Sequence, residues 1–86
     1  MPDVRESARR WAVAWEHAWR HHDPDALRAV YAPGCVFRPH VFRDPYAGID
    51  GVLAYARWAF ESERAADPWF GEPIVDGERA VVEYHA

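Results

Sequence analysis

The sequence predicts an α+β domain in which helices come first and a β-hairpin comes last. Apolar residues recur every three or four positions over 4–19 and again over 49–60, which is the spacing of amphipathic helices. Two short runs rich in branched and aromatic residues, 69–75 and 79–85, flank Asp76-Gly77-Glu78, the composition of a hairpin turn. Helices followed by paired strands are the order of an α+β fold.

The first two helices have clear boundary signals. Asp3 and Glu6 have capping-box spacing, so we expect the first helix to begin there and to end near His22. Asp23-Pro24 then supplies an N-cap and a first-turn proline for a second helix that runs through Tyr31.

Residues 35–60 predict, in order, a strand, an irregular loop and the third helix. A proline-glycine pair ends the second helix, and the run 35–38 predicts a strand with Cys35 and Phe37 on one face. Two prolines make 39–48 irregular, although Val41-Phe42 could continue as a bent or edge strand.

Composition favours one folded domain, 1–86, without a nucleic-acid partner. Half of the residues are apolar and five are Trp, which is enough for a dense core. All ten basic residues are Arg, and with 14 carboxylates the net charge is -4, so no basic field attracts phosphates. Cys35 is the single cysteine, no apolar run approaches the roughly 20 residues of a membrane span, and no signal peptide is recognisable. We expect a cytoplasmic protein that does not enter a membrane.

Three segments carry a family resemblance: HDPDALRAVYA, FRDPYAGIDGVLAY and VDGERAVVEYHA. Their order and spacing resemble SnoaL-like polyketide cyclases, in the ketosteroid-isomerase-like branch of the nuclear-transport-factor-two-like superfamily. The resemblance implies a cone-shaped α+β fold, with three N-terminal helices packed on a curved antiparallel sheet. Members usually continue with further strands, so we expect a C-terminally truncated chain, or one that completes its sheet with a partner's strands. A homodimer through the sheet or an exposed edge strand is also implied.

The resemblance does not carry isomerase activity to this chain. Ketosteroid isomerases use a tyrosine on the first helix and two aspartates on strands. Alignment on RAVYAPGCVFRP places Trp15 at the tyrosine position and Pro39, beside His40, at the position of the base. The third position lies beyond Ala86.

Three polar residues are the remaining candidates for chemistry, and the first of them is expected near the mouth of the cone. His40, at the end of the first strand, is the candidate general base, because imidazole exchanges protons near neutral pH. A solvated loop histidine is the alternative. Glu83 and His85 lie two residues apart on one predicted strand face, where they could form an acid/base pair or an orienting contact, and Glu83 is a ligand-binding candidate. An ordinary polar face of an edge strand is the alternative.

Aromatic residues are numerous enough to line an apolar pocket. Most of them must be core, and aligned positions in isomerase-like relatives assign Trp15, Phe37 and Tyr55 to the pocket. Arg38 and Arg43 flank the same loop, where an arginine could clamp a substrate carboxylate, and Arg43 is the ligand-binding candidate. A solvated arginine is the alternative.

No cofactor or metal is expected. His17 and His21 have the i, i+4 spacing of a shared helix face, but a motif such as H-E-x-x-H is lacking, so solvated positions are the better interpretation.

Three functional hypotheses stay open. The first is binding of a small hydrophobic molecule in the cone pocket. The second is an isomerase, cyclase or hydrolase that transfers a proton on a small carbonyl compound. The third is an incomplete or assembly-dependent domain with no independent activity.

Overall fold

A computed structural model describes residues 3–63 and 67–86 of the chain. In these residues three helices accompany six short antiparallel strands, which confirms the α+β fold class. The helices are α1 (Val4–His21), a 3₁₀ helix (Pro24–Val30) and α2 (Gly48–Glu61). The strands are β1 (Val36–Phe37), β2 (Tyr46–Ala47), β3 (Trp69–Phe70), β4 (Ile74–Asp76), β5 (Arg79–Val81) and β6 (Tyr84–His85).

Helix α1 begins and ends where local signals predict. The Asp3 carboxylate accepts a hydrogen bond from the backbone N–H of Glu6, which satisfies one of the free N–H groups of the first turn. His22 ends the helix in the left-handed region, with φ at 52°, and its N–H donates to the carbonyl of Ala18. Both ends of α1 are therefore fixed by the residues that flank it, Asp3 and His22.

The second helix is a 3₁₀ helix rather than an α-helix, and it stops one residue before the predicted end. Its seven residues begin at Pro24, directly after the N-cap position Asp23, and Tyr31 already has an extended backbone. So short a segment gains few i→i+4 bonds, and its stability depends on packing. Leu27 provides that packing, because it is fully buried between the longer helices.

The hydrophobic core lies where the three helices meet. Its buried side chains come from all three of them: Trp15, Ala18, Leu27, Val52, Leu53, Ala56 and Phe60. Full burial of each large side chain in this set contributes roughly 1.5–3 kcal/mol. The helical layer therefore holds most of the buried apolar surface, and the strands pack along one side of it.

The first strand pairs with a different segment from the one expected. β1 is antiparallel to β2, with Phe37 opposite Tyr46, whereas Val41-Phe42 is not a strand. The carbonyl of His40 accepts a bond from the N–H three residues later, which makes a turn there, and Phe42 is 99% exposed. The side chain of Tyr46, by contrast, packs on Phe37, and that contact selects the partner strand.

The C-terminal hairpin forms, but each predicted strand is divided in two. Phe70 lies opposite Tyr84 and Ile74 lies opposite Val81, so three residues on one side face two on the other. One extra residue of this kind is a β-bulge. Pro73, which has no N–H to donate, is among the three. In the described residues the strands consequently form three separate two-stranded sheets, β1–β2, β3–β6 and β4–β5.

Arginines of α1 tie the bulged segment to the helix. Arg5 donates to the carbonyl of Pro73 at 2.9 Å, and Arg9 forms an ion pair with Glu72. The Arg9–Glu72 pair is exposed, and exposed ion pairs stabilise little, typically by about 0–1 kcal/mol. Among the described residues no helix is long and apolar enough to cross a membrane.

Candidate functional site

An aromatic cavity of about 280 Å³ lies between the helices and the strands. Helices α1 and α2 form two of its walls, and β1 and the β3–β6 pair form the others. Its lining consists of Trp11, Trp15, Trp19, Phe37, Arg38, Pro39, Tyr55, Ala59, Phe60, Phe70 and Tyr84.

One phenol holds two tryptophans of the α1 wall. The indole N–H groups of Trp11 and Trp15 both donate to the hydroxyl of Tyr31, at 3.0 and 2.8 Å. Burial raises the pKa of Tyr31, and the two indole donors oppose that rise only in part. The phenol therefore stays neutral at physiological pH and fixes the orientation of both rings.

The third tryptophan of the wall is held by a carboxylate. The indole N–H of Trp19 donates to Glu63 at 2.5 Å, and the Trp19 ring lies 5.9 Å from that of Tyr84. All three indole N–H groups of the wall are thus bonded within the protein. The surface that the tryptophans present to the cavity is apolar.

Phe37 joins the walls together. Its ring stacks on Trp15 with centroids 6.1 Å apart and meets Tyr55 edge-on at 5.2 Å. Such pairs stabilise beyond their buried area and favour fixed ring orientations. Burial raises the pKa of Tyr55, with the nearby Tyr84 adding to the rise, so the Tyr55 phenol is a hydrogen-bond donor at neutral pH.

The structure brings together the three aromatic residues assigned to the pocket from the sequence. Trp15, Phe37 and Tyr55 all line the cavity, although they come from α1, β1 and α2 respectively. Their role in binding a ligand stays a prediction.

His40 lies beside the cavity rather than on its lining. Its ring packs edge-on against Tyr55 at 5.8 Å and against Trp58 at 6.5 Å. Pro39, the preceding residue, does line the cavity. The general-base role of His40 stays a prediction.

The two polar ligand-binding candidates lie away from the cavity lining. Arg43 is exposed and belongs to the turn that begins at His40. The Glu83 carboxylate lies 3.6 Å from Nε2 of His85, and both side chains are about 70% exposed. The two side chains are close, but Glu83 lies between β5 and β6 rather than on a strand with His85. The ligand-binding role of Glu83 stays a prediction.

Several lining residues were not assigned to the pocket from the sequence. Arg38, which the sequence offered beside Arg43 as a possible carboxylate clamp, lines the cavity, whereas Arg43 does not. Phe70 and Tyr84 meet as a stacked cross-strand pair, 5.6 Å apart. Their pairing depends on the β-bulge that separates β3 from β4, and no local sequence motif predicted that bulge.

The histidine pair on α1 is close but exposed. The His17 and His21 rings lie 4.6 Å apart, and Nε2 of His17 is 3.6 Å from the Asp23 carboxylate. Over residues 3–63 and 67–86, no group of three or more His, Cys, Asp or Glu side chains is arranged to hold a metal ion. Cys35 is half-buried against the core, with a free thiol.

Fold and cavity together define a small α+β domain in which helices and short antiparallel strands enclose an apolar concave site. A family model described as the SnoaL-like domain matches residues 12–86. The chain therefore belongs to the SnoaL-like domain family, of the nuclear-transport-factor-two-like superfamily, which confirms the resemblance seen in the sequence. No curated protein and no solved structure matched the chain.

Proposed function

We propose that this chain binds a small, planar, apolar molecule in the aromatic cavity. The composition of the cavity carries the proposal, because eight of the eleven lining residues within 3–63 and 67–86 are aromatic. Aromatic walls bind flat ligands through stacking and edge contacts, and ligand sites are usually lined in this way.

Hydrogen bonding inside the protein reinforces the apolar character of the cavity. Trp11 and Trp15 donate to Tyr31, and Trp19 donates to Glu63, so no indole N–H of the α1 wall needs a ligand acceptor. A volume of about 280 Å³ suits a ligand of one or two fused rings, near the lower end of the usual range of roughly 300–1,000 Å³.

Filling the cavity tests the proposal. Ala59 of α2 lines it and is half-buried, whereas Ala54 of the same helix is exposed. Binding of naphthalene-2-carboxamide, a flat neutral probe, is measured by titration calorimetry. We expect Ala59→Leu to weaken binding at least about tenfold, because the added carbons occupy the space of the ring.

Ala54→Leu is the matched control, since it adds the same atoms to the same helix outside the cavity. Circular dichroism establishes that both variants are folded. Absence of binding by the wild-type chain, or equal affinity of the wild type and Ala59→Leu, would contradict the proposal.

Proton transfer on a small carbonyl compound is the alternative function, and it depends on His40. The observation that supports this alternative is that the ring of His40 packs against Tyr55, which does line the cavity. The lining itself, as far as the described residues define it, contains no carboxylate or imidazole. If this alternative is right, His40→Ala abolishes turnover of a reactive ketone, lactone or epoxide. Unchanged turnover would reject the mechanism.

A further inference from the structure

Arg38 is the one charged residue on the cavity lining, within the part of the chain that the structure describes. It follows Phe37, whose ring stacks on Trp15 inside the cavity, and its own side chain is exposed. A cationic group at the mouth of an aromatic cavity is suited to a ligand that has an apolar body and an anionic end.

The guanidinium of Arg38 has no carboxylate partner among residues 3–63 and 67–86. Four other arginines do have one: Arg9, Arg20, Arg28 and Arg79 each pair with a nearby Asp or Glu. Carboxylates are not scarce in a chain with 14 of them, and the five residues outside the described ranges include none. Arg38 is thus left with its fork of N–H donors available to a ligand.

The other polar groups of the lining are also donors. Tyr55 and Tyr84 contribute phenol hydroxyls, and neither hydroxyl has a hydrogen-bond partner within the described residues. The indole N–H groups are already bonded in the protein. The donors that remain are one guanidinium and two phenols, a set that complements acceptor oxygens carrying negative charge.

We infer that the ligands of this cavity are planar aromatic carboxylates, with Arg38 binding the carboxylate and the aromatic walls enclosing the ring. The inference rests on the proposed function and narrows it to one ligand class. Because the guanidinium is planar and its N–H groups are forked, it binds a carboxylate through two parallel hydrogen bonds. The net charge of the chain is -4, so attraction of an anion must come from this local contact rather than from the field of the whole chain.

A matched pair of probes tests the inference. Naphthalene-2-carboxylate and naphthalene-2-carboxamide have the same ring and nearly the same shape, and they differ in charge. We expect the carboxylate to bind the wild-type chain about tenfold more tightly, the lower part of the range for charged hydrogen bonds, because the exposed guanidinium is screened by solvent. The preference is measured as the ratio of the two Kd values by titration calorimetry.

Arg38→Gln should reduce that ratio to about one while leaving the affinity for the carboxamide within about twofold. Arg43→Gln is the matched control: it removes the same charge five positions along the chain, from an exposed turn outside the lining, and should keep the ratio. Raising the salt concentration should lower the wild-type ratio and leave that of Arg38→Gln unchanged.

The outcomes separate the two proposals. Equal binding of both probes by the wild-type chain, or a carboxylate preference that survives Arg38→Gln, overturns the inference and leaves the proposed function standing. Absence of binding by both probes overturns the proposed function and the inference with it. Loss of the preference in Arg43→Gln also overturns the assignment to Arg38.

Discussion

The indole N–H of Trp15 donates to the phenol oxygen of Tyr31 across 2.8 Å, joining the middle of α1 to the residue that follows the 3₁₀ helix. Trp11, one helical turn earlier, donates to the same oxygen at 3.0 Å. One hydroxyl therefore determines the orientation of two rings that line the cavity. This contact connects the packing of the helices to the shape of the candidate site.

Removing that hydroxyl should loosen the α1 wall. Tyr31→Phe leaves the indole donors of buried Trp15 and half-buried Trp11 without their acceptor, and we expect the free energy of unfolding to fall by about 1–3 kcal/mol. Urea denaturation measures the loss, and the indole ¹H–¹⁵N resonances of Trp11 and Trp15 should shift.

Tyr46→Phe is the control for the missing oxygen, because Tyr46 is also half-buried and its hydroxyl makes no side-chain hydrogen bond in the described residues. A Tyr31→Phe variant as stable as the wild-type chain would show that the two indole hydrogen bonds to the Tyr31 hydroxyl do not stabilise the fold.

Alkaline pH should destabilise the fold through the buried phenols. Burial raises the pKa of both Tyr31 and Tyr55 in the folded chain. Above the unfolded-state pKa of about 10, the unfolded chain loses these protons while the folded chain keeps them. The contribution to stability is present in full below that pH and is lost as the pH rises through the folded-state pKa values.

Urea denaturation at a series of pH values from about 8 to about 11 measures this dependence. The double variant Tyr31→Phe, Tyr55→Phe should show a shallower decline than the wild-type chain. An identical decline in both would assign the effect to other groups.

A Val→Ala substitution should destabilise the chain far more in the helical core than on an exposed helix face. Val52 in α2 is fully buried, whereas Val13 in α1 is 67% exposed. Val52→Ala should cost about 2 kcal/mol, since two buried methyl groups are lost and a cavity remains. Val13→Ala should change stability by no more than about 0.5 kcal/mol. Thermal and urea unfolding of both variants check this, and equal losses would contradict the position of the core.

Two glycines should respond with opposite signs to the addition of a methyl group. Gly77 occupies the first position of the hairpin turn with φ at +63°, so Gly77→Ala should destabilise by about 1–2 kcal/mol through backbone strain. Gly34 has no positive φ, and an added Cβ there meets no described atom within 4 Å. Gly34→Ala should stabilise by about 0.4–1 kcal/mol through the unfolded state. Unfolding free energies measured for both variants test this prediction. A Gly77→Ala variant more stable than the wild-type chain would contradict the described turn geometry.

Signals that act over a few residues explain what could be predicted from the sequence. The Asp3 cap, the three- and four-residue apolar repeat of α1 and the glycine in the hairpin turn are each confirmed. Each depends on contacts between residues close in sequence, so the pattern of residues is sufficient. The 3₁₀ helix differs from the expected α-helix, and the core contacts of Leu27 that stabilise it are tertiary contacts, which a local pattern does not specify.

The candidate site could be predicted only in part, for the same reason. Trp15, Phe37 and Tyr55 were identified because alignment with relatives placed them on a shared cavity. The choice between Arg38 and Arg43 could not be made, because both flank the same loop and carry the same charge. Only the folded structure shows that Arg38, directly after β1, lines the cavity and that Arg43, in the turn between β1 and β2, does not.

The sequence by itself determined the α+β class, the start and end of α1, the hairpin turn and the family resemblance. These follow from local periodicity, caps and turn residues, which act before the chain is compact. Only the tertiary structure decided that Tyr31 and Glu63 hold the three tryptophans, that β1 pairs with β2, and that Arg38 lines the cavity. Those arrangements join residues far apart in the chain, and they exist only when packing has brought the helices and strands together.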